Sequence, residues 1–198
     1  MGRTGCNFAV EHWDVAPDIL VTAKGLSSGY APLGAVIASK RVVDAVADGS
    51  GAFLHGFTYN SHPISLAAGR AVLGFLQSRR LVEAADSERR GSVAESLKET
   101  LGSLANLDVV GDVRGIGLLW GVEFVADKAS KQPFAPELNF AGRVAQAAVQ
   151  RGLLVYPMQG CVDGNAGDHL LIAPPAIITS EQMEWAVGQL REGIGATL

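Results

Sequence analysis

Hydrophobic and polar positions alternate in short blocks through the first forty residues. The run Ile19-Leu20-Val21-Thr22-Ala23 is apolar and rich in β-branched residues, which predicts a strand, and Lys24 stands at its end. Turn-forming residues fill positions 25–32, and a second apolar run at 33–38 predicts another strand. Short continuous apolar runs are typical of strands that are covered on both faces in an α/β sheet. The pattern therefore predicts buried strands flanking a turn.

Helical periodicity dominates much of the rest of the chain. Pro63 can open a helix whose apolar stripe comprises Ile64, Ala67, Ala68, Ala71, Val72, Phe75 and Leu76. A last helix carries Thr179-Ser180-Glu181-Gln182 at its start, which is a capping-box pattern. By the same spacing, helices are predicted at 41–47, 93–104, 137–150 and 183–194.

Apolar runs between the later helices predict further strands at 109–110, 118–124, 153–156 and 169–173. The pattern of hydrophobic and polar positions changes within residues 85–100. We therefore predict two α/β units, one spanning residues 1–90 and the other spanning residues 91–198.

Composition narrows the functional classes. The 198 residues are 48% hydrophobic and 18% charged, which excludes a disordered chain, and the formal net charge of −4 does not favour nucleic-acid binding. Gly, Pro or a charge interrupts every apolar stretch, so neither a membrane span nor a signal peptide is predicted. The low charge content favours apolar surface that is covered by a partner subunit or by a missing part of the chain.

The cysteines and histidines form no recognisable metal or disulfide pattern. Cys6 and Cys161 lie far apart, so a reducing, cytoplasmic setting is expected. The histidines at positions 12, 55, 62 and 169 lack metal-ligand spacing, so no metal site is predicted.

Lys24 is the first candidate for chemistry. Open α/β sheets place ligands at the carboxyl ends of their strands, where a neutral lysine amine can form a Schiff base with an aldehyde cofactor. Alternatively, Lys24 only ends a strand and reaches water. Its position alone leaves both interpretations open.

A rival nucleophile lies beside it. Gly25-Leu26-Ser27-Ser28-Gly29 matches G-x-S-x-G, the nucleophile elbow of serine hydrolases. That motif requires a helix directly after the serine, whereas another strand-like run follows here. The only downstream Asp–His neighbours, Asp168 and His169, are adjacent in sequence and poorly suited to orient each other. The hydrolase hypothesis is therefore the weaker one.

Two further segments have an ordinary and a functional interpretation. Gly115-Ile116-Gly117-Leu118-Leu119-Trp120-Gly121 superficially resembles a dinucleotide loop, but a strand-like run follows it, so these glycines predict a turn. Thr58 precedes a helix N-terminus, where a hydroxyl can help to hold a phosphate, although it can equally be a turn threonine.

Together these pieces resemble class III aminotransferases, and the resemblance spans essentially the whole chain. The lysine segment is its most specific part, and the later segments are similar to the omega-transaminase branch. The matching segments are Gly2-Arg3-Thr4-Gly5, residues 17–35, His55-Gly56-Phe57-Thr58-Tyr59, His62-Pro63, Gly167-Asp168-His169 and Pro174-Pro175.

The resemblance implies fold-type I of the pyridoxal-phosphate (PLP) enzymes. Residues 1–90 would form the end of the large PLP-binding domain, and residues 91–198 the small C-terminal domain. Lys24 matches the lysine that forms the Schiff base with PLP, and Thr58 matches the residue that reaches the cofactor phosphate across a homodimer interface. The implied reaction moves an amino group from an amine or amino-acid donor to a 2-oxo acid such as pyruvate.

Two departures from the family pattern change the expectation. The Asp-Glu-Val strand that precedes Gly-Arg-Thr-Gly in the family is absent, so this chain alone is expected to be an incomplete, inactive fragment. The segment Gln159–Asp168 holds no Arg or Lys that could bind a substrate carboxylate. Arg114 resembles a structural feature instead. A non-catalytic remnant with exposed apolar surface is the third hypothesis.

Overall fold

The computed structural model describes residues 1–198, and they form two compact units. The first unit comprises Met1–Gly2 and Cys6–Leu81, and the second comprises Arg3–Gly5 and Val82–Leu198. The boundary expected after residue 90 therefore falls inside the second unit. Ala85 is fully buried in that unit's core, which explains why the residues just before 90 pack there.

The first unit holds two strands and two helices in the predicted order. Strand β1 (Ile19–Thr22) pairs antiparallel with β2 (Ala35–Ala38), and Ile19 lies opposite Ala38. Helix α1 (Lys40–Asp48) follows directly, and α2 (Pro63–Ser78) begins at the predicted proline. Local sequence signals therefore located these elements correctly.

Burial in the first unit differs from the prediction for its strands. β1 and β2 pair only with each other, and Val21 is 76% exposed. No apolar side chain of this unit is buried, and its buried residues are Gly2, Ser27 and Gly69. The apolar runs that predict coverage on both faces thus find no covering element among the 198 residues.

The inward face of helix α2 overlaps its predicted apolar stripe only in part. Ile64 and Phe75 are exposed, although both belong to the predicted stripe. Its less exposed positions include buried Gly69 and half-buried Ser65, Ala68, Val72 and Leu76. Small residues allow the chain to approach the helix on this face, which apolarity alone does not reveal.

The second unit is a four-stranded antiparallel sheet with helices packed against it. The sheet order is β3-β4-β6-β5. Its elements are α4 (Val93–Gly102), β3 (Val110–Ile116), β4 (Leu119–Phe124), α5 (Phe140–Gln150), β5 (Tyr156–Gln159), β6 (Asp168–Ile172) and α6 (Ser180–Gly195). The chain enters this unit in the one-turn helix α3 (Leu81–Ala84).

All buried apolar side chains lie in the second unit, between one face of the sheet and helices α4, α5 and α6. Alternate residues of β4, namely Trp120, Val122 and Phe124, point into this core, as the two-residue period of a strand requires. The rings of Phe124 and Phe140 meet edge to face with centroids 5.2 Å apart. The hydrophobic effect therefore stabilises this unit through a continuous core.

Several predicted boundaries in the second unit shift. β5 starts at Tyr156, whereas the apolar run predicts 153–156, because Leu153 and Val155 instead pack against the core before the strand begins. β3 extends to Ile116, where glycine and charged residues conceal the strand pattern. The capping box of α6 is confirmed, since Thr179 Oγ1 accepts from the Gln182 backbone N–H at 3.2 Å.

Gly117 forms a turn, as predicted, whereas Gly115 and Gly121 lie in the two strands that the turn connects. Gly117 and Leu118 connect β3 to β4 in a two-residue hairpin, and Gly117 has a φ of 60°. Glycine at the first position of such a hairpin adopts this conformation without steric cost. No helix follows, so the segment has no phosphate-binding context. None of the helices is long and apolar enough to cross a bilayer.

Candidate active site

Lys24 lies where the sequence predicts it, two residues after the last residue of β1. It begins a single helical turn, Lys24–Leu26, and has a left-handed backbone with a φ of 50°. A non-glycine residue in this conformation is uncommon and costs about 1–3 kcal/mol, and such residues cluster at functional sites. The residue is exposed, so its amine is open to solvent.

The Lys24 amine differs from every other lysine in the chain, because its Nζ makes no hydrogen bond or ion pair. The other four are engaged: Lys40 with Asp44 at 2.6 Å, Lys98 with Glu88 at 2.8 Å, Lys128 with the carbonyls of Ala105 and Leu107, and Lys131 with the carbonyl of Gly111. An amine without a partner needs to break no contact before it reacts.

Ser27 does not have the geometry of a hydrolase nucleophile. Its side chain is buried, and Oγ donates a hydrogen bond to the Ala31 carbonyl at 2.6 Å. The next regular element is strand β2, so no helix follows the serine as a nucleophile elbow requires. The hydroxyl is therefore occupied in closing a turn.

A glycine of α2 supports the segment that begins at Lys24. A Cβ at Gly69 would lie 2.5 Å from Leu33 Cδ2 and 3.7 Å from the Leu26 carbonyl oxygen. The missing side chain thus leaves room for Leu33 against the helix, while the Leu26 carbonyl would be in ordinary van der Waals contact. Gly69 is not among the residues predicted from the sequence, although a glycine inside an apolar helix indicates close packing.

Thr58 lies in the exposed loop before α2, and no hydrogen bond joins it to Lys24. Its hydroxyl has no hydrogen-bond partner, so it can donate to a phosphate oxygen. Its neighbours are aromatic: the ring centroids of His55 and Phe57 are 4.9 Å apart. The structure therefore leaves Thr58 available but does not assemble it with the lysine.

Arg114 is held by carboxylates on the sheet. It contacts Asp112 at 2.9 Å and Glu123 at 2.7 Å, and these hydrogen bonds raise the pKa of the guanidinium. Partial burial, together with the positive charge of Arg114, lowers the pKa of His169. Arg114 is thus engaged in structure rather than free to bind a substrate carboxylate.

Asp168 has a structural role that its sequence context does not predict. Its side chain is 1% exposed, and Oδ1 accepts a hydrogen bond from the Ala141 N–H at 2.9 Å. It therefore caps the N-terminus of α5 from strand β6. A separation of 27 residues between the partners leaves no local pattern that could predict this contact. Asp168 and His169 are consecutive residues of β6, so their side chains point to opposite faces of the sheet and do not form an Asp–His pair.

Comparison with known proteins identifies the family to which the chain belongs. The chain matches the class-III aminotransferase family over residues 1–194. It is 40% identical over 197 residues to an uncharacterized aminotransferase, YodT, of Bacillus subtilis (strain 168). The aligned region covers 99% of this chain and 43% of that protein.

Solved transaminase structures are similar to this structure over essentially the whole chain. A transaminase from the marine bacterium Virgibacillus superposes with a TM-score of 0.91 at 34% identity, covering 99% of this chain and 43% of that one. A PLP-bound amine transaminase from an uncultivated Pseudomonas species gives a TM-score of 0.84 at 33% identity, covering 100% of this chain and 42% of that one. These likenesses confirm the predicted fold-type I class and do not support the hydrolase alternative. The chain spans less than half the length of these relatives.

Proposed function

Because the chain belongs to the class-III aminotransferase family, we propose that it takes part in amino-group transfer from an amine or amino-acid donor to a 2-oxo acid such as pyruvate. PLP is the cofactor, Lys24 is the residue that binds it covalently, and Thr58 contacts its phosphate. The observation that carries the proposal is the Lys24 amine, which is exposed and is the only lysine Nζ without a partner.

The residues present fit this cofactor. An aldehyde requires a free amine, and Lys24 supplies one at the end of a strand. A phosphate requires a donor, and the Thr58 hydroxyl is exposed and unpaired. When bound, PLP supplies an aromatic ring that withdraws electrons from the bond broken at the donor carbon.

The protein's own part in the reaction rests mainly on one nitrogen. Lys24 Nζ would hold the cofactor in place until the donor displaced it, and it would then be a free, neutral amine beside the donor carbon. There it could take up the proton that this carbon loses and give it back on the far side of the donor nitrogen, which is general acid–base catalysis by one group. The left-handed backbone conformation of Lys24 fixes the direction in which its side chain leaves the main chain.

Covalent trapping tests the assignment of Lys24. The 198-residue chain is incubated with PLP, reduced with borohydride, digested, and mapped by mass spectrometry. We expect the label on the peptide that contains Lys24, ahead of Lys40, Lys98, Lys128 and Lys131, because those amines must first give up a partner. Equal labelling of all lysines, or no label on Lys24, would contradict the proposal.

We further propose that the exposed aromatic segment before α2 lies at a homodimer interface. Leu54 is 93% exposed, and Phe53, Phe57 and Tyr59 are also largely exposed. Contiguous apolar surface of this kind marks interaction sites in folded proteins. The family resemblance of Thr58, which lies in this segment, to a residue that acts across a dimer interface supports the same assignment.

Sedimentation velocity over a range of concentrations checks the dimer. We expect a dimer whose dissociation constant rises about tenfold or more in Leu54→Ser, because burial of a leucine side chain contributes about 1.5–3 kcal/mol. Leu154→Ser is the matched control, since Leu154 is also largely exposed but lies in the second unit. A monomer at every concentration, or equal effects of both variants, would argue against this interface.

The two thiols support a reducing location for the protein. Neither Cys6 nor Cys161 takes part in a disulfide. Disulfides are rare in the cytosol and common in secreted proteins. We therefore propose that the protein is cytoplasmic.

A further inference from the structure

Ser27 has a buried hydroxyl for which aminotransferase chemistry assigns no use. It is 2% exposed and is the only buried polar side chain of the first unit. The Oγ atom donates to the Ala31 carbonyl at 2.6 Å, which is a short hydrogen bond between neutral groups. A buried hydroxyl needs such a partner, because removing it from water without one is costly.

The backbone of the same residue ties the turn back to Lys24. The Ser27 N–H donates to the Lys24 carbonyl at 3.2 Å, and the Ser27 carbonyl accepts from the Tyr30 N–H at 3.0 Å. Together with the side-chain bond to Ala31, Ser27 links both ends of the segment 24–31. Serine hydroxyls stabilise turns in this way by bonding to nearby main-chain groups.

Lys24 needs this support because its own backbone is strained. With a φ of 50° it occupies the left-handed region, which favours glycine and disfavours a lysine. A strained residue keeps its conformation only where the surrounding structure holds it. At Lys24 the supporting contacts are the hydrogen bonds of Ser27 and the packing of Leu26 and Leu33 near Gly69.

We propose that Ser27 is a positioning residue for Lys24. Its buried hydroxyl closes the turn of residues 24–31 and so holds the strained backbone from which Nζ reaches the cofactor. This inference rests on the proposed function of Lys24. Loss of the hydroxyl leaves the Ala31 carbonyl without its partner and lets the turn relax, which withdraws the amine from its reactive position.

The rate of PLP labelling at Lys24 tests the proposal, with labelling of Lys40 in the same sample as the internal reference. We expect Ser27→Ala to lower the Lys24 rate about tenfold and to leave the Lys40 rate unchanged, since one lost buried hydrogen bond has about this weight. Ser28→Ala is the matched control, because Ser28 is exposed and its side chain makes no hydrogen bond. In this variant Lys24 should be labelled at the wild-type rate.

Two isosteric variants keep the test decisive if Ser27→Ala fails to fold. Ser27→Thr retains the hydroxyl and Ser27→Val removes it, while their shapes are nearly the same. We expect the threonine variant to label Lys24 about tenfold faster than the valine variant. Equal rates, or wild-type labelling in a folded Ser27→Ala, would overturn the role of Ser27. Absence of Lys24 labelling in the wild-type chain would instead overturn the proposed function itself.

Discussion

Lys24→Gly and Lys24→Ala are both expected to lose most of the borohydride-trapped PLP of the whole chain, although the two variants should differ in stability. No other group on the turn can replace the amine, so the label that remains should lie on the slower lysines outside it. The φ of 50° at this position suits glycine, which is expected to give a larger free energy of unfolding than alanine by about 1 kcal/mol. Urea titration followed by circular dichroism measures the difference.

Lys40→Ala provides the control for these variants. Lys40 forms an exposed ion pair with Asp44 within α1, and such pairs contribute little to stability. Labelling at Lys24 and the free energy of unfolding should both stay near the wild-type values. Wild-type total labelling in Lys24→Ala would show that other amines react with PLP as readily. That result would remove the basis for the proposed cofactor lysine.

Gly117→Ala is expected to reduce the free energy of unfolding by more than about 3 kcal/mol, a large share of a typical domain's stability. A Cβ at this position would lie 2.4 Å from the Ala85 carbonyl oxygen and 2.7 Å from the Arg3 carbonyl oxygen. Both obstacles are backbone atoms, which cannot turn aside as the end of a flexible side chain can. The φ of 60° adds a conformational cost that alanine cannot avoid.

The consequence of this change reaches beyond the hairpin. The Leu118 N–H donates to the Arg3 carbonyl at 2.8 Å, and the Arg3 guanidinium donates to the carbonyls of Leu118 and Pro174. Pushing the chain away from Gly117 therefore breaks contacts among three segments of the second unit. Urea unfolding and expression of soluble protein would both report the loss.

Gly188→Ala is the matched control within the same unit. Gly188 lies inside α6, and no atom stands within 4 Å of an added Cβ. Alanine has the higher helix propensity, so this variant should keep or increase the free energy of unfolding. If Gly117→Ala is as stable as Gly188→Ala, the close approach of Arg3 and Ala85 does not limit this fold.

Local patterns in the sequence were sufficient where neighbouring residues decide the structure. The start of α2 at Pro63, the capping box at Thr179 and the hairpin at Gly117 all depend on residues within a few positions of one another. The placement of Lys24 directly after a strand follows in the same way. The family resemblance added the chemistry, because an ordered set of such motifs is far more specific than any one of them.

Burial in the first unit could not be predicted in this manner. The apolar strands β1 and β2 have the composition of covered strands, yet Val21 and Val36 are exposed. Apolar composition reports that a surface favours coverage, but only the tertiary structure shows which chain segments reach it. The same reason explains why Ile64 and Phe75 lie outside the inward face of α2.

By itself, the sequence determined the type of most helices and strands, the fold class and the candidate lysine, since these depend on short-range periodicity and ordered motifs. Only the tertiary structure decided that Arg3 belongs with the second unit, that Asp168 caps α5, and that the Ser27 hydroxyl is buried. It also showed that Lys24 alone among the lysines has a free amine. The physical reason is distance along the chain: Arg3 contacts a residue 115 positions away, and folding alone brings such partners within hydrogen-bond range.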